Sequence, residues 1–124
     1  MITEDYVSFE TAKLLKEKGF DEKCFYCFDD VIGESRLSRL MICNNSELVE
    51  HYYSAPTLQM VMKWLREKQI FITIGFCDYP TLHKSEWIPE VCTHDSIFDE
   101  PSIAYSTYEE ACEAGIRYCL ENLI

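Results

Sequence analysis

Basic residues all but vanish from the C-terminal part of this chain. After residue 77 only Lys84 and Arg117 stand against ten acids, a net charge of −8 over residues 78–124, and the whole chain of 124 residues carries −11. Binding to a phosphate backbone needs clustered Lys and Arg that displace condensed counterions, so no direct nucleic-acid contact is expected. The one basic cluster, Lys13, Lys16, Lys18 and Lys23, is interleaved with Glu17, Asp21 and Glu22 and reads as a solvated helix face. Glycine is scarce too. Gly19, Gly33, Gly75 and Gly115 are the full set, too few for a phosphate-cradling loop. No apolar run approaches the roughly 20 residues of a membrane-spanning helix, and no membrane association is expected. Met1-Ile2-Thr3-Glu4-Asp5 is acidic where a secretory signal is basic, with no apolar segment behind it. The expected compartment is the cytoplasm. Neither a G-x-S-x-G elbow nor an H-E-x-x-H pair occurs, and the sequence points to no catalytic residue, metal or cofactor.

What the chain does have is cysteine. There are seven, two of them in Cys24-Phe25-Tyr26-Cys27. In a reducing compartment disulfides are rare, and an odd count leaves one thiol unpaired in any case. A zinc knuckle sets its C-x-x-C on a turn, whereas the aromatic run here favours a strand, where residues i and i+3 point to opposite faces. One of Cys24 and Cys27 is therefore expected to face outward. A redox pair is equally unsupported, because the acids that follow at Asp29-Asp30 raise a thiol pKa. Cys77, His83, Cys92 and His94 form a second set of ligand-type residues, at spacings of no common metal site. Cys112 and Cys119 lie on an apolar helical stripe and read as core.

Local patterns define three helices. Ser8 is placed to cap the first, with Val7 stapled to Ala12, and Gly19-Phe20 closes it near Lys18. Pro56-Thr57 opens the second, whose Leu58, Val61, Met62 and Leu65 repeat at helical spacing. Ser106 and Glu109 form a capping box for the third, which runs to the C-terminus. Strands are expected over 24–28, 37–43, 70–76 and 87–92, with 103–105 as a short addition and 48–53 undecided. Gly33 bounds the first of these, and Pro89 marks 87–92 as an edge strand. Short connections favour antiparallel pairing. The expected fold is α+β: a single globular domain, 1–124, with a mainly antiparallel sheet of four or five strands packed with three helices (α-β-β-(β)-α-β-β-α).

The acidic segment from Asp78 to Glu100 combines prolines with Tyr79, Trp87 and His94. Aromatics on an irregular, charged stretch are what a protein-recognition surface uses, and these three are the candidate contact residues. An unidentified protein is the expected partner; the oligomeric state is left open.

Two stretches of wording resemble a known group. Tyr6-Val7-Ser8-Phe9-Glu10 running into Ala12-Lys13-Leu14-Leu15-Lys16-Glu17-Lys18-Gly19-Phe20-Asp21, and Ala55-Pro56-Thr57-Leu58-Gln59-Met60 to Trp64-Leu65-Arg66-Glu67, resemble small uncharacterised proteins of gut bacteria and their phages and mobile elements. The tail Tyr108-Glu109-Glu110-Ala111 to Leu120-Glu121-Asn122-Leu123 is similar to the same group. The Pro-Thr-led helix looks, more weakly, like phage helix-sheet-helix sandwich domains. The resemblance implies a phage or mobile-element origin and assigns no residue a role. Charge and aromatics then give the leading expectation, an accessory protein that binds another protein. The alternatives are an acidic mimic of nucleic acid that inhibits a nuclease or DNA-binding protein, and a metal- or thiol-dependent enzyme.

Overall fold

The first helix, α1 (Phe9–Glu17), starts and stops where its side chains dictate. The Ser8 hydroxyl accepts the Thr11 N–H at 3.3 Å. At the other end Phe20 N–H bonds Leu15 C=O at 2.9 Å and Gly19 N–H bonds Lys16 C=O at 3.3 Å. This is a Schellman closure. It requires a left-handed residue at position 19, and Gly19 sits at φ 87°. Leu15 and Phe20, the apolar pair of that closure, are both buried.

The computed structural model describes residues 1–30, 36–98 and 103–124. Gly33, Asp99, Glu100 and Pro101, to which some sequence expectations refer, lie outside the described residues. The chain is α+β and divides into two compact units, residues 1–57 and 58–124. Among the described residues there are three α-helices and six strands, with antiparallel pairing throughout. In place of one sheet of four or five strands, the strands form two three-stranded sheets.

The first unit holds α1 with β1 (Cys24–Asp29), β2 (Arg36–Cys43) and β3 (Tyr52–Ser54), in the order β2-β1-β3. The undecided stretch 48–53 thus resolves into a short strand preceded by a 3₁₀ turn at Asn45–Glu47. The β1–β2 register slips between Cys24 and Tyr26. Asn45 locks this unit. Its buried side chain donates to Phe20 C=O at 2.8 Å and accepts from Ser54 N–H at 2.9 Å, so one amide satisfies a backbone group at the end of α1 and another in β3.

The second unit contains α2 (Leu58–Glu67), β4 (Phe71–Tyr79), β5 (Lys84–Cys92), β6 (Ile97–Phe98) and α3 (Tyr108–Asn122). The sheet order is β4-β5-β6. β5 is therefore the central strand and not the edge that Pro89 implied. Trp87 exchanges both backbone bonds with Tyr105 at 2.8 Å, while β6 joins only at Val91 and Cys92. Backbone groups alternate sides along a strand, so the missing N–H of Pro89 falls in the gap between these two pairings. The stretch 103–105 makes only that single bridge at Tyr105. The α3 cap is one residue later than the sequence suggests: Thr107 Oγ1 accepts the Glu110 N–H at 3.1 Å. Ser106 instead aims its hydroxyl at the Glu110 carboxylate.

α3 packs across β4 and β5, and α2 packs on α3. Gly115 makes the close approach possible. A Cβ there would stand 3.0 Å from Ile72 Cγ2 and 3.5 Å from Pro89 Cβ. Among the described residues, no helix is long and apolar enough to cross a membrane.

Candidate functional site: the outer face of the β4–β5–β6 sheet

Cross-strand partners in an antiparallel pair project to the same face, and neighbours along a strand to opposite faces. The β4–β5 register runs unbroken from Phe71↔Cys92 to Tyr79↔Lys84, which assigns every side chain. Ile72, Ile74, Phe76, Trp87, Pro89 and Val91 share the face under α3. Phe98 joins them, its ring 6.0 Å from that of Tyr118. The opposite face carries Phe71, Cys77 and Tyr79 from β4, Ile88 and Cys92 from β5, and Ile97 opposite Cys92 on β6.

α3 lies on the other face, where Gly115 meets Ile72 and Pro89. Tyr79 is 41% exposed and Ile97 66%, and Phe71, Cys77, Ile88 and Cys92 are each half-buried. Glu86 and Glu90 lie between these apolar side chains. Lys84 bonds Glu86 at 2.8 Å, and that carboxylate raises the Lys84 ammonium above its ordinary pKa. At one end His94 stacks edge-on to Phe71, with ring centroids 5.5 Å apart. Its Nε2 meets Gln69 Oε1 at 2.6 Å. Beside them is an open cleft of about 350 Å³, lined by Lys68, Thr93, Asp95 and Leu123 among others.

Of the three contact residues read from the sequence, Tyr79 lies on this face and His94 at its end. Trp87 does not. It points to the α3 side, 4.6 Å from the Phe76 ring and 5.6 Å from the Tyr108 ring. The physical reason is parity: the Phe76↔Trp87 pair is three register steps from Tyr79↔Lys84, an odd number. Phe71, Ile88 and Ile97 were missed. The available signal was the alternation of β4 carried through the hairpin, which puts Phe71 and Ile88 on one face once the turn is placed.

Cys24 and Cys43 face each other as cross-strand partners, but the seven thiols form no common site among the described residues. Cys24 and Cys27 are both buried, at 2% and 1% exposure, so the expectation that one faces outward is overturned. Cys27 lies on the central strand, between Ser38 and Ser54 as Cα partners; Phe25 is the outward residue, at 53%. Burial pushes the Cys24 thiol up to about 11, against a smaller pull from the Ser54 hydroxyl, and burial also raises Cys27 and Cys43. Protonated thiols are poor nucleophiles and poor ligands. Cys77 and Cys92 sit at opposite ends of the β4–β5 hairpin, level with Glu86 and Phe71, about 20 Å apart at some 3.3 Å per residue. His83 is at the hairpin tip in a left-handed conformation, φ 50°. Folding thus separates the Cys77, His83, Cys92 and His94 set. Among the described residues no three His, Cys, Asp or Glu side chains converge in a metal-binding arrangement.

No protein-family model, curated protein or solved structure matches this chain.

Proposed function

We propose that the second unit is a protein-binding module whose outer sheet face takes a polypeptide segment rich in both apolar and basic residues. The supporting observation is the composition of that face: Phe71, Cys77 and Tyr79 on β4, Ile88 and Cys92 on β5 and Ile97 on β6, with Glu90 and the Lys84–Glu86 pair among them. Partly exposed aromatic and aliphatic side chains supply the area a hot spot needs. The carboxylates favour a positively charged partner and speed its encounter. The chain's resemblance to small proteins of gut bacteria and their phages supports an accessory role of phage or mobile-element origin.

The mimic of nucleic acid is the weaker reading. Glu86 and Glu90 are on the outer face, whereas Glu109, Glu110, Glu113 and Glu121 belong to α3, which covers the other face. Among the described residues the acids thus form no single row at the spacing of a phosphate backbone. An enzyme reading has less support: Cys24, Cys27 and Cys119, whose thiols are held protonated by burial, are shut away from solvent.

Calorimetric titration with a peptide of alternating lysine and leucine tests the proposal. Binding is expected to weaken as salt rises, and to fall at least tenfold, about 1.4 kcal/mol, in a Tyr79→Ala/Ile97→Asp variant. Equal affinity in that folded variant would remove the outer face from consideration.

A further inference from the structure

We propose that the chain forms a two-fold dimer by pairing the free edge of β4 with the same edge of a second copy. The edge follows from the backbone bonds. Trp87 directs both its N–H and its C=O to Tyr105, away from β4. By alternation Glu86, Ile88 and Glu90 bond toward β4, and through the register so do Thr73, Gly75 and Cys77 toward β5. Ile72, Ile74, Phe76 and Asp78 therefore present their N–H and C=O groups outward. Among the described residues no strand or bridge pairs with that side.

Natural sheets guard such edges with lysine, proline, a bulge or a short strand. β4 has none of these. It runs for nine residues in unbroken register, and Phe71 to Cys77 contains neither charge nor proline. Phe76 on this strand is 54% exposed. A Cβ at Gly75 would meet nothing nearer than Ile88 C=O at 3.7 Å.

A second copy fits because the strand is complementary to itself. Antiparallel self-pairing with full overlap places Gly75 on the two-fold axis. Phe71 then faces Tyr79 of the second copy, Ile72 faces Asp78, Thr73 faces Cys77 and Ile74 faces Phe76. Phe71–Tyr79 is an aromatic pair and Ile74–Phe76 an aromatic–aliphatic one, both favourable cross-strand combinations, and no like charges stand opposite. The outer face becomes continuous over six strands. The inference uses the strand's edge and holds whether or not that face binds a partner.

Sedimentation equilibrium of the full chain under reducing conditions should give twice the 14.6 kDa chain mass. Association should tighten with salt, which screens the repulsion between two chains of −11. Gly75→Lys sets two ammonium groups at the axis and should give a folded monomer, as should Thr73→Lys on the exposed neighbouring position. Thr73→Cys, treated with diamide, should cross-link through Cys77 of the second copy, because directly opposed non-hydrogen-bonded positions lie about 4.5 Å apart, within disulfide reach. The cross-link should vanish in Thr73→Cys/Cys77→Ser. A single-chain mass at every concentration and salt would overturn the proposal, as would a dimer that survives both lysine variants. A cross-link indifferent to Cys77→Ser would overturn the register.

Discussion

The two sheets have the same number of strands and each leaves apolar side chains in water, Phe25 and Ile42 in the first and Tyr79 and Ile97 in the second, but they differ in how their strands are held. In the β2-β1-β3 sheet the central strand buries Cys24, Cys27 and Phe28, and the register slips where β2 accommodates it. A buried amide, Asn45, ties the strands to the end of α1. In the β4-β5-β6 sheet the register is unbroken, one face packs under α3 with Phe76 left half exposed, and the other leaves Tyr79 and Ile97 in water. The first sheet is fixed by the buried residues of its central strand and by Asn45, although Phe25, Leu37 and Ile42 stay exposed on it. The second holds part of its apolar surface in reserve, as a surface that awaits a partner does.

The largest expected effect belongs to the first sheet. Asn45→Ala strands the Phe20 carbonyl and the Ser54 amide in a buried site, at about 1–3 kcal/mol for each group left unpaired. We expect a loss of about 3 kcal/mol in chemical denaturation; a loss below about 1 kcal/mol would mean that Asn45 does not lock the unit.

Gly115→Leu comes next. It drives a branched side chain into Ile72 and Pro89, and overpacking of this kind costs about 1–3 kcal/mol. It should lower the melting temperature and lift α3 from the covered face. A neutral result would contradict the close packing.

Alkali acts on both units through buried thiols. Burial holds Cys24 up at about 11 and Cys119 at about 12, against 9.0 for a free thiol. The folded chain keeps these protons more tightly than the unfolded chain. Stability is therefore full below pH 9 and falls as pH rises toward 11 and 12. Cys119→Ala should flatten that fall more than Cys24→Ser, because its shift is larger. A denaturation midpoint constant from pH 8 to pH 11 would contradict the burial of both.

The smallest effect on stability is expected on the outer face. Ile97→Ser should change it by less than about 0.5 kcal/mol, as surface substitutions do, while impairing peptide binding. A loss as large as that of Asn45→Ala would show that Ile97 is core, and the contrast between the sheets would fail.

Helix ends were the most legible features of the sequence, because a cap is a local event. Ser8, Gly19 and Phe20 carry the chemistry of the α1 termini within five residues of where it acts. Thr107 took the cap role from Ser106 because both are hydroxyl residues followed by a glutamate three positions on, and sequence alone does not rank them. Pro89 misled for a different reason. Its missing N–H excludes one bond on one side of a strand, and β5 places that side in a gap of the ladder. The candidate site was half legible. Tyr79 and His94 were found from composition, but the division between Tyr79 and Trp87 depends on hairpin register, and register is set by the turn at Pro80–Leu82. Whether Cys24 and Cys27 were both buried was not legible, since the strict alternation assumed for them is broken by the register slip between Cys24 and Tyr26, a non-local fact.

Salt separates the two interactions proposed for the second unit: peptide binding to Glu86 and Glu90 weakens as salt rises, and pairing of β4 edges tightens. The most direct measurement is amide chemical-shift mapping at fixed salt while the lysine–leucine peptide is added. The outer-face account predicts shifts at Phe71, Cys77, Tyr79, Ile88, Cys92 and Ile97, with Asn45, Ile116 and Leu120 unmoved. Shifts confined to α3 or to residues 1–57, or none at all, would contradict it.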